Sequence, residues 1–355
     1  IFNSIEIIGY LCYNFIYEVM LMKIPNFLPE NGTIGLIAPS FGANIEPYKT
    51  RLLAAIKRFE KKGYLIKIFG DIFGYFNGAS EDKVARAKHF MDAYMDKEVD
   101  VVWSIGGGEL MIEILPYIDF DLLKQHKEKL FIGYSDNTNL TITLLTHLNM
   151  LSVYGYNFPS FGMKELDDFL VNGLNIIKGK EVTQYASLYH EPRDIEESDP
   201  LASYTLTQPT KWIGSDDEVV IEGRLIGGVM DILLHHLGTP YDKVSSFIEK
   251  YKDEGMVWYL ESYDMDIFAL KRALWQMEAA GWFKYCNGFL FGRHNKPLSF
   301  LELDEYNIYK DILGDIPFIM HMDIGHINPM MTLVNGSKVK AINNKHESKL
   351  IQKWV

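Results

Sequence analysis

The amino-acid sequence predicts an α/β protein in two parts, a doubly wound parallel-sheet domain followed by a smaller α/β domain. Three observations carry that expectation. Short apolar runs alternate with amphipathic stretches from Thr33 onward. The alternation breaks at residues 189–210, which are rich in acids, Pro, Ser and Thr. New apolar runs then follow. At 355 residues, the chain also exceeds the roughly 100–200 residues of a common single domain.

In the first part, residues 33–38, 64–69, 99–104 and 129–134 read as strands. Residues 47–62 put Leu52, Leu53, Ile56 and Phe59 on one helical face, and residues 80–97 open on a Ser cap followed by two acids. Strands alternating with helices imply right-handed crossovers and a parallel sheet, and such sheets gather ligands beyond the carboxyl ends of their strands. In the second part, strands are expected at 219–226, 256–261, 288–291 and 316–320. A turn at Asn335-Gly336 separates two polar, alternating strands. The expected organisation is an extension at 1–22, a first domain at 23–188, a linker at 189–215 and a second domain at 216–355.

Composition narrows the function. Hydrophobic residues at 48% and charged residues at 23% are globular values. A formal charge of −12, with no Lys/Arg-rich run, argues against a nucleic-acid partner. The two cysteines, Cys12 and Cys286, lack the spacing of a zinc site or a disulfide framework, so no metal is expected and a reducing cytoplasm fits. Residues 1–22 are apolar, but Glu6 and Glu18 interrupt them and no basic leader or cleavage site appears. They read as neither a signal peptide nor a membrane span, and Met22-Lys23-Ile24-Pro25 reads like a natural start.

Ser135, in Gly133-Tyr134-Ser135-Asp136-Asn137-Thr138, stands where a strand runs into a helix pattern. Such a corner lifts a hydroxyl out of the sheet and aims the next N–H at a developing oxyanion. The surroundings alone favour a helix cap formed by Ser135 or Asp136. Ser104-Ile105-Gly106-Gly107-Gly108-Glu109 ends the preceding strand. Its glycines let backbone approach a ligand, but the spacing is not that of a dinucleotide-binding loop, and no cofactor is expected. Of ten histidines, His326 follows an apolar run and is flanked by Gly325 and Pro329, whereas His235 and His236 fall in a helical stretch. Glu261 closes the apolar run 256–260 and reads either as a site carboxylate or as an acid leading into a helix.

In order, Gly35-Leu36-Ile37-Ala38-Pro39-Ser40, Ser104 to Gly107, Leu115-Pro116-Tyr117-Ile118-Asp119, Ile132 to Asp136, Gly223 to Gly228, Leu260-Glu261 and Gly325-His326 resemble the LD-carboxypeptidase family. They are most similar to its branch related to the microcin C immunity peptidase. The resemblance spans roughly residues 30–340. It implies a flavodoxin- or glutamine-amidotransferase-like first domain and a second domain with a β-barrel-like sheet. It also implies a catalytic Ser135, Glu261 and His326, and an oxyanion hole from the backbone of Gly107 and Asp136. Gly108, Trp212 and Arg224 are its candidate substrate contacts, with Arg224 leaning towards a structural role. The family usually has Asn after Gly227-Gly228, where this chain has Val229.

The expected activity is a cytoplasmic serine carboxypeptidase that releases D-Ala from a murein tetrapeptide. The alternative is hydrolysis of a microcin-type peptidyl or aminoacyl nucleotide, and a distant one is a non-catalytic anion-binding protein. The partner is a small peptide or peptidyl nucleotide, with no membrane, and the resemblance admits a homodimer.

Overall fold

The structure, a computed structural model, describes residues 21–193, 199–296 and 299–355. Most of the expected extension, residues 1–20, lies outside the described residues, as does Cys12. Five parallel strands build the first sheet: β1 (Thr33–Ile37), β2 (Leu65–Phe69), β3 (Val101–Ser104), β4 (Leu130–Gly133) and β5 (Ser152–Tyr154), in the order β2-β1-β3-β4-β5. This is the flavodoxin-like winding, whose order reverses between β1 and β3. The helices are α1 (Tyr48–Lys61), α2 (Lys83–Met95), α3 (Phe120–Lys124), α4 (Thr138–Leu148) and α5 (Asp168–Ile177).

Alternation along the buried strands supplies both layers. Val101 and Trp103 join Leu52, Ala55 and Phe59 of α1 in one core. Val102 and Phe131 join Ala87, Phe90 and Ala93 of α2 in the other. The cap of α2 differs from expectation. Asp82 accepts from Val84 and Ala85 N–H, while Ser80 donates to the Ala38 carbonyl and ties the β1 loop down. Strand β5, three residues long, has no period long enough to read from sequence.

The second half holds β6 (Gln184–Tyr185), β7 (Ile213–Gly214), β8 (Val219–Val229), β9 (Met256–Glu261), β10 (Cys286–Gly292), β11 (Phe318–Met322), β12 (Leu333–Asn335), β13 (Lys338–Asn343) and β14 (Ser348–Lys353), with α6 (Met230–Leu233), α7 (Val244–Lys250), α8 (Ile267–Ala279) and α9 (Glu305–Leu313). Eight of these strands form a mixed sheet, β6-β14-β13-β8-β9-β10-β11-β7, whose centre β8 to β11 is parallel. Among the described residues its strand order runs from β6 at one edge to β7 at the other. Among the described residues no helix is long and apolar enough to cross a membrane.

The halves interlock. β12 leaves the second half and pairs antiparallel with β5, completing the first sheet. The Asn335-Gly336 turn is therefore not a hairpin. It hands the chain from one sheet to the other, and β13 finds its hairpin partner in β14. The reason is local: Leu333 to Asn335 are fully buried, and both the Gly336 N–H and the Ser337 carbonyl are held by Leu225 of β8.

A second junction lies where β8 meets the start of α4. A Cβ on Gly228 would stand 2.4 Å from the Thr138 methyl, and the Val229 N–H donates to the Thr138 hydroxyl at 3.2 Å. Gly228→Ala is therefore expected to lower stability by about 1–3 kcal/mol through overpacking. It should cost activity as well, because Thr138 begins the helix behind the elbow. Urea unfolding and steady-state kinetics on one preparation check both.

Candidate functional site

Ser135 sits between β4 and a short 3-10 turn, Ser135–Asn137, with φ +64°, a left-handed conformation that a non-glycine residue holds only when its surroundings impose it. The surroundings are visible. Asp136 is 1% exposed and accepts from the Ser40 hydroxyl, the Met111 N–H at 2.9 Å and the Asn139 amide at 2.8 Å. Burial raises its pKa, against the lowering effect of those donors. The Asn137 amide donates to the Tyr134 and Gly106 carbonyls, both at 2.9 Å, which joins the elbow to the glycine turn. Ser135 makes no cap bond, and its hydroxyl points elsewhere.

Its partner is His326, whose Nε2 lies 2.9 Å from Ser135 Oγ. His326 Nδ1 lies 3.0 Å from Glu261, which ends β9 and is fully buried. The second acceptor of Glu261 takes the hydroxyl of Tyr154, from β5 of the other sheet. Two glycines make room for this carboxylate. A Cβ on Gly325, at φ +97°, would stand 2.7 Å from Glu261 Oε2, and one on Gly292 would stand 3.0 Å from Glu261 Cβ. The cap of α8 is Asp266, so Glu261 is no helix-leading acid. The imidazole is bracketed by the rings of Tyr134 and Tyr263, with centroids at 5.2 and 4.6 Å.

Gly107 faces the serine. A Cβ there would meet Ser135 Cβ at 2.8 Å, Oγ at 2.9 Å and the Asp136 nitrogen at 3.7 Å. Asp136 is the second residue of its 3-10 turn, where a backbone N–H has no intrahelical acceptor. The site thus brings together a hydroxyl, an imidazole aligned by a buried carboxylate, and backbone at close range.

Residues 34–155 match the LD-carboxypeptidase N-terminal domain and residues 222–341 its C-terminal domain, together more than half of the chain. The chain belongs to the LD-carboxypeptidase family. It is a serine peptidase. It is 25% identical over 342 residues to a Bacillus subtilis protein named "Probable murein peptide carboxypeptidase", covering 93% of this chain and 95% of that one. It is 24% identical over 328 residues to the microcin C7 self-immunity protein of Escherichia coli, covering 88% and 91%. Among solved structures, a microcin-immunity-like protein from Bacillus anthracis superposes with a TM-score of 0.78 at 22% identity, covering 93% of this chain and 98% of that one. A muramoyltetrapeptide carboxypeptidase from Oxalobacter formigenes superposes with a TM-score of 0.69 at 21% identity, covering 91% and 99%.

The three candidate substrate contacts of this LD-carboxypeptidase family member lie as follows. Arg224 is 3% exposed and paired with Glu254 at 2.7 Å. It stacks 4.3 Å from the centre of the Tyr251 ring and lies in the middle of β8, opposite Met256 where the pairing with β9 begins, so its charge is taken up inside the fold. Trp212 is 4% exposed and donates to Asp323 at 2.9 Å, which leaves no face for a substrate to stack on. Gly108 is pressed against Ser40, with 2.2 Å from a built Cβ to the Ser40 hydroxyl, and serves close packing of the turn. Val229 is itself buried, its side chain taking the place of a polar amide. His236 bonds the Asn139 amide oxygen at 2.9 Å, and burial lowers its pKa to about 4. Burial likewise pushes the Cys286 thiol up to about 12, so it offers no thiolate at neutral pH.

The residues that sequence reading missed hold the histidine loop. Buried Arg293 donates to Asp323 at 2.8 Å and to the carbonyls of Ile327 and Pro329, both at 2.9 Å, so one guanidinium spans the loop just after His326. Asp323 also accepts from the Ser187 backbone and from Trp212. Arg293→Lys keeps the charge but cannot reproduce this planar fork. It is expected to fold and to lose about ten- to a hundredfold in kcat. Arg293→Met leaves the Asp323 carboxylate without its cation and should cost about 3–5 kcal/mol of stability. Thermal melts read beside single-turnover rates separate the two effects.

Proposed function

We propose that Ser135 is the nucleophile of an amide hydrolysis, with His326 as general base and then general acid, and Glu261 as the group that orients the imidazole. The hydrogen-bonded chain from Ser135 through His326 to Glu261 carries this reading. Glu261 accepts from Nδ1–H, which leaves Nε2 as the acceptor facing the serine. Ser135 Oγ attacks the carbonyl carbon as its proton passes to His326 Nε2, and the N–H groups of Gly107 and Asp136 receive the oxyanion. The C–N bond then breaks, the amine leaves with the proton from His326, and water resolves the ester by the same steps. The substrate we favour is a murein-type tetrapeptide that loses its terminal D-Ala in the cytoplasm.

A microcin-type aminoacyl nucleotide would use the same three side chains. The 24% identity to the microcin C7 self-immunity protein supports it, but the aromatic platform expected of Trp212 is buried. A non-catalytic anion-binding protein has no use for the aligned imidazole.

Ser135→Ala is expected to lower kcat by about three or more orders of magnitude and to abolish labelling by a serine-directed phosphonate, with the fold intact. Mass spectrometry of the labelled peptide, and product analysis on both substrates, test this. Wild-type turnover in the variant would sink the assignment.

The pH dependence has a definite sign. Burial would lower the pKa of His326, but Glu261, by charge and hydrogen bond, and then Asp231 and Glu109 more than offset it, so the pKa is raised above the ordinary 6.5. The base must be neutral to accept the serine proton, so kcat/KM should climb with pH through a limb lying above that value. Asp231→Asn and Glu109→Gln each remove a raising charge and should move the limb to lower pH. A pH–rate profile in which it stays fixed or moves up contradicts the assignment of His326 as base.

A further inference from the structure

A cavity of about 730 Å³ opens beside the acyl-transfer centre, between residues 190–193 and 208–213 on one wall and the residues that follow β10 on the other. Ile327, next to His326, lines it, and so does Lys296. Lys296 holds both the backbone and the carboxylate of Asp264 at 2.9 Å, and Asp264 follows Tyr263, whose ring packs on the catalytic imidazole. The cavity therefore adjoins the site without containing its reacting atoms.

Its charge is unusual for a chain of net −12. Four cations, Arg193, Lys211, Arg293 and Lys296, line it with two carboxylates, Glu191 and Glu305. Both carboxylates are already engaged. Glu191 accepts from Thr205 N–H at 3.1 Å and the Asn328 amide at 2.8 Å, and Glu305 accepts from His321 and lies 3.3 Å from His294. Arg293 is neutralised by Asp323 and Lys296 by Asp264. Arg193 donates to the His294 carbonyl, and among the described residues neither it nor Lys211 pairs with a carboxylate. Along the same wall, Arg293 Nε and His294 Nδ1, in side chains 5% and 3% exposed, have no hydrogen-bond partner. Burial holds His294 and His190 neutral at pH 7, each with a pKa near 4, so the positive character comes from Arg193 and Lys211.

We propose that this cavity binds an anionic oxygen group of the substrate, a carboxylate or a phosphoryl group, at a point displaced from the scissile amide, with Arg193 and Lys211 as its specificity-determining cations. The inference rests on the acyl-transfer reading and deepens it. The chain otherwise repels anions, so two cations without a carboxylate partner among the described residues, placed beside the site, select for a substrate that carries one.

The test compares wild type with Arg193→Gln, Lys211→Gln and the double variant, all at exposed positions where folding is not at stake. Substrates are a tetrapeptide, its analogue with the carboxylates amidated except at the terminus, an aminoacyl phosphoramidate nucleotide and the matching nucleoside without phosphate. The double variant should raise KM by about tenfold for an anionic substrate, with kcat within about twofold, and leave the neutralised counterpart unchanged. Loss on the peptide pair alone identifies a carboxylate as the ligand, and loss on the nucleotide pair alone identifies a phosphoryl group. An unchanged KM on both anionic substrates, or an equal rise on charged and neutral ones, overturns the inference. Phosphonate labelling of Ser135 runs alongside. If the wild-type serine labels while KM stays unmoved, only the cavity assignment fails, whereas no labelling of wild type defeats the acyl-transfer reading itself.

Discussion

The buried carboxylate of Glu261 is the constraint on which the rest of the structure depends. A carboxyl group with no exposed surface is stable only where its desolvation is offset by partners. Its two partners come from different places: His326 from a loop of the second half, and Tyr154 from β5 of the first. Neither half alone can satisfy it. The crossing of β12 onto β5 and the contact of Gly228 with Thr138 are therefore conditions for the site as well as packing features. A serine on one sheet and a carboxylate on another meet through one imidazole, so the chemistry and the docking of the halves are thermodynamically linked.

The elbow shows the same logic on a smaller scale. A left-handed Ser135 is costly by itself, on the order of 1–3 kcal/mol. The cost is met by a network with little freedom: Asp136 bound to Ser40, Met111 and Asn139, and Asn137 bound to Gly106. Arg86, 2% exposed, extends it by donating to the carbonyls of Pro39 and Leu110, so that the loops after β1 and β3 are fixed to each other. The glycines nearby leave room for the hydroxyl, and the polar groups hold it there.

How much of this was legible in the sequence follows from range. Ser135, Glu261 and His326 are readable as members of an ordered set of motifs, although local grounds favour a cap for Ser135 and suit an acid at a helix start equally well for Glu261. The strands β1 to β4 and β8 to β11 announce themselves by apolar runs. Arg293, Asp323 and Tyr154 were not found, because their roles rest on contacts such as Arg293 to Pro329 and Tyr154 to Glu261 that no periodicity encodes. Trp212 and Arg224 stand as candidate contacts only through the resemblance, Arg224 already leaning towards structure, and their partners Asp323 and Glu254 are remote in sequence. Asn335-Gly336 has the residues of a hairpin turn, but burial of Leu333 to Asn335 in the first sheet overrode the local signal.

The polarity around His326 is divided. Glu109, Asp231 and Asp264 act on one side, close enough for Glu109 and Asp231 to raise the basicity of the imidazole. Lys296, which lines the neighbouring cavity, is bound to Asp264 and so joins the two groups of charges. The acids favour the imidazolium that forms as the serine attacks, so they assist the step in which His326 carries positive charge, but they also repel an anionic substrate that approaches from their side. If the cavity takes an anionic group as proposed, these acids would add repulsion to the attraction of the cations in orienting the substrate. On that reading, the acids that raise the basicity of His326 would also bear on the direction in which the substrate lies.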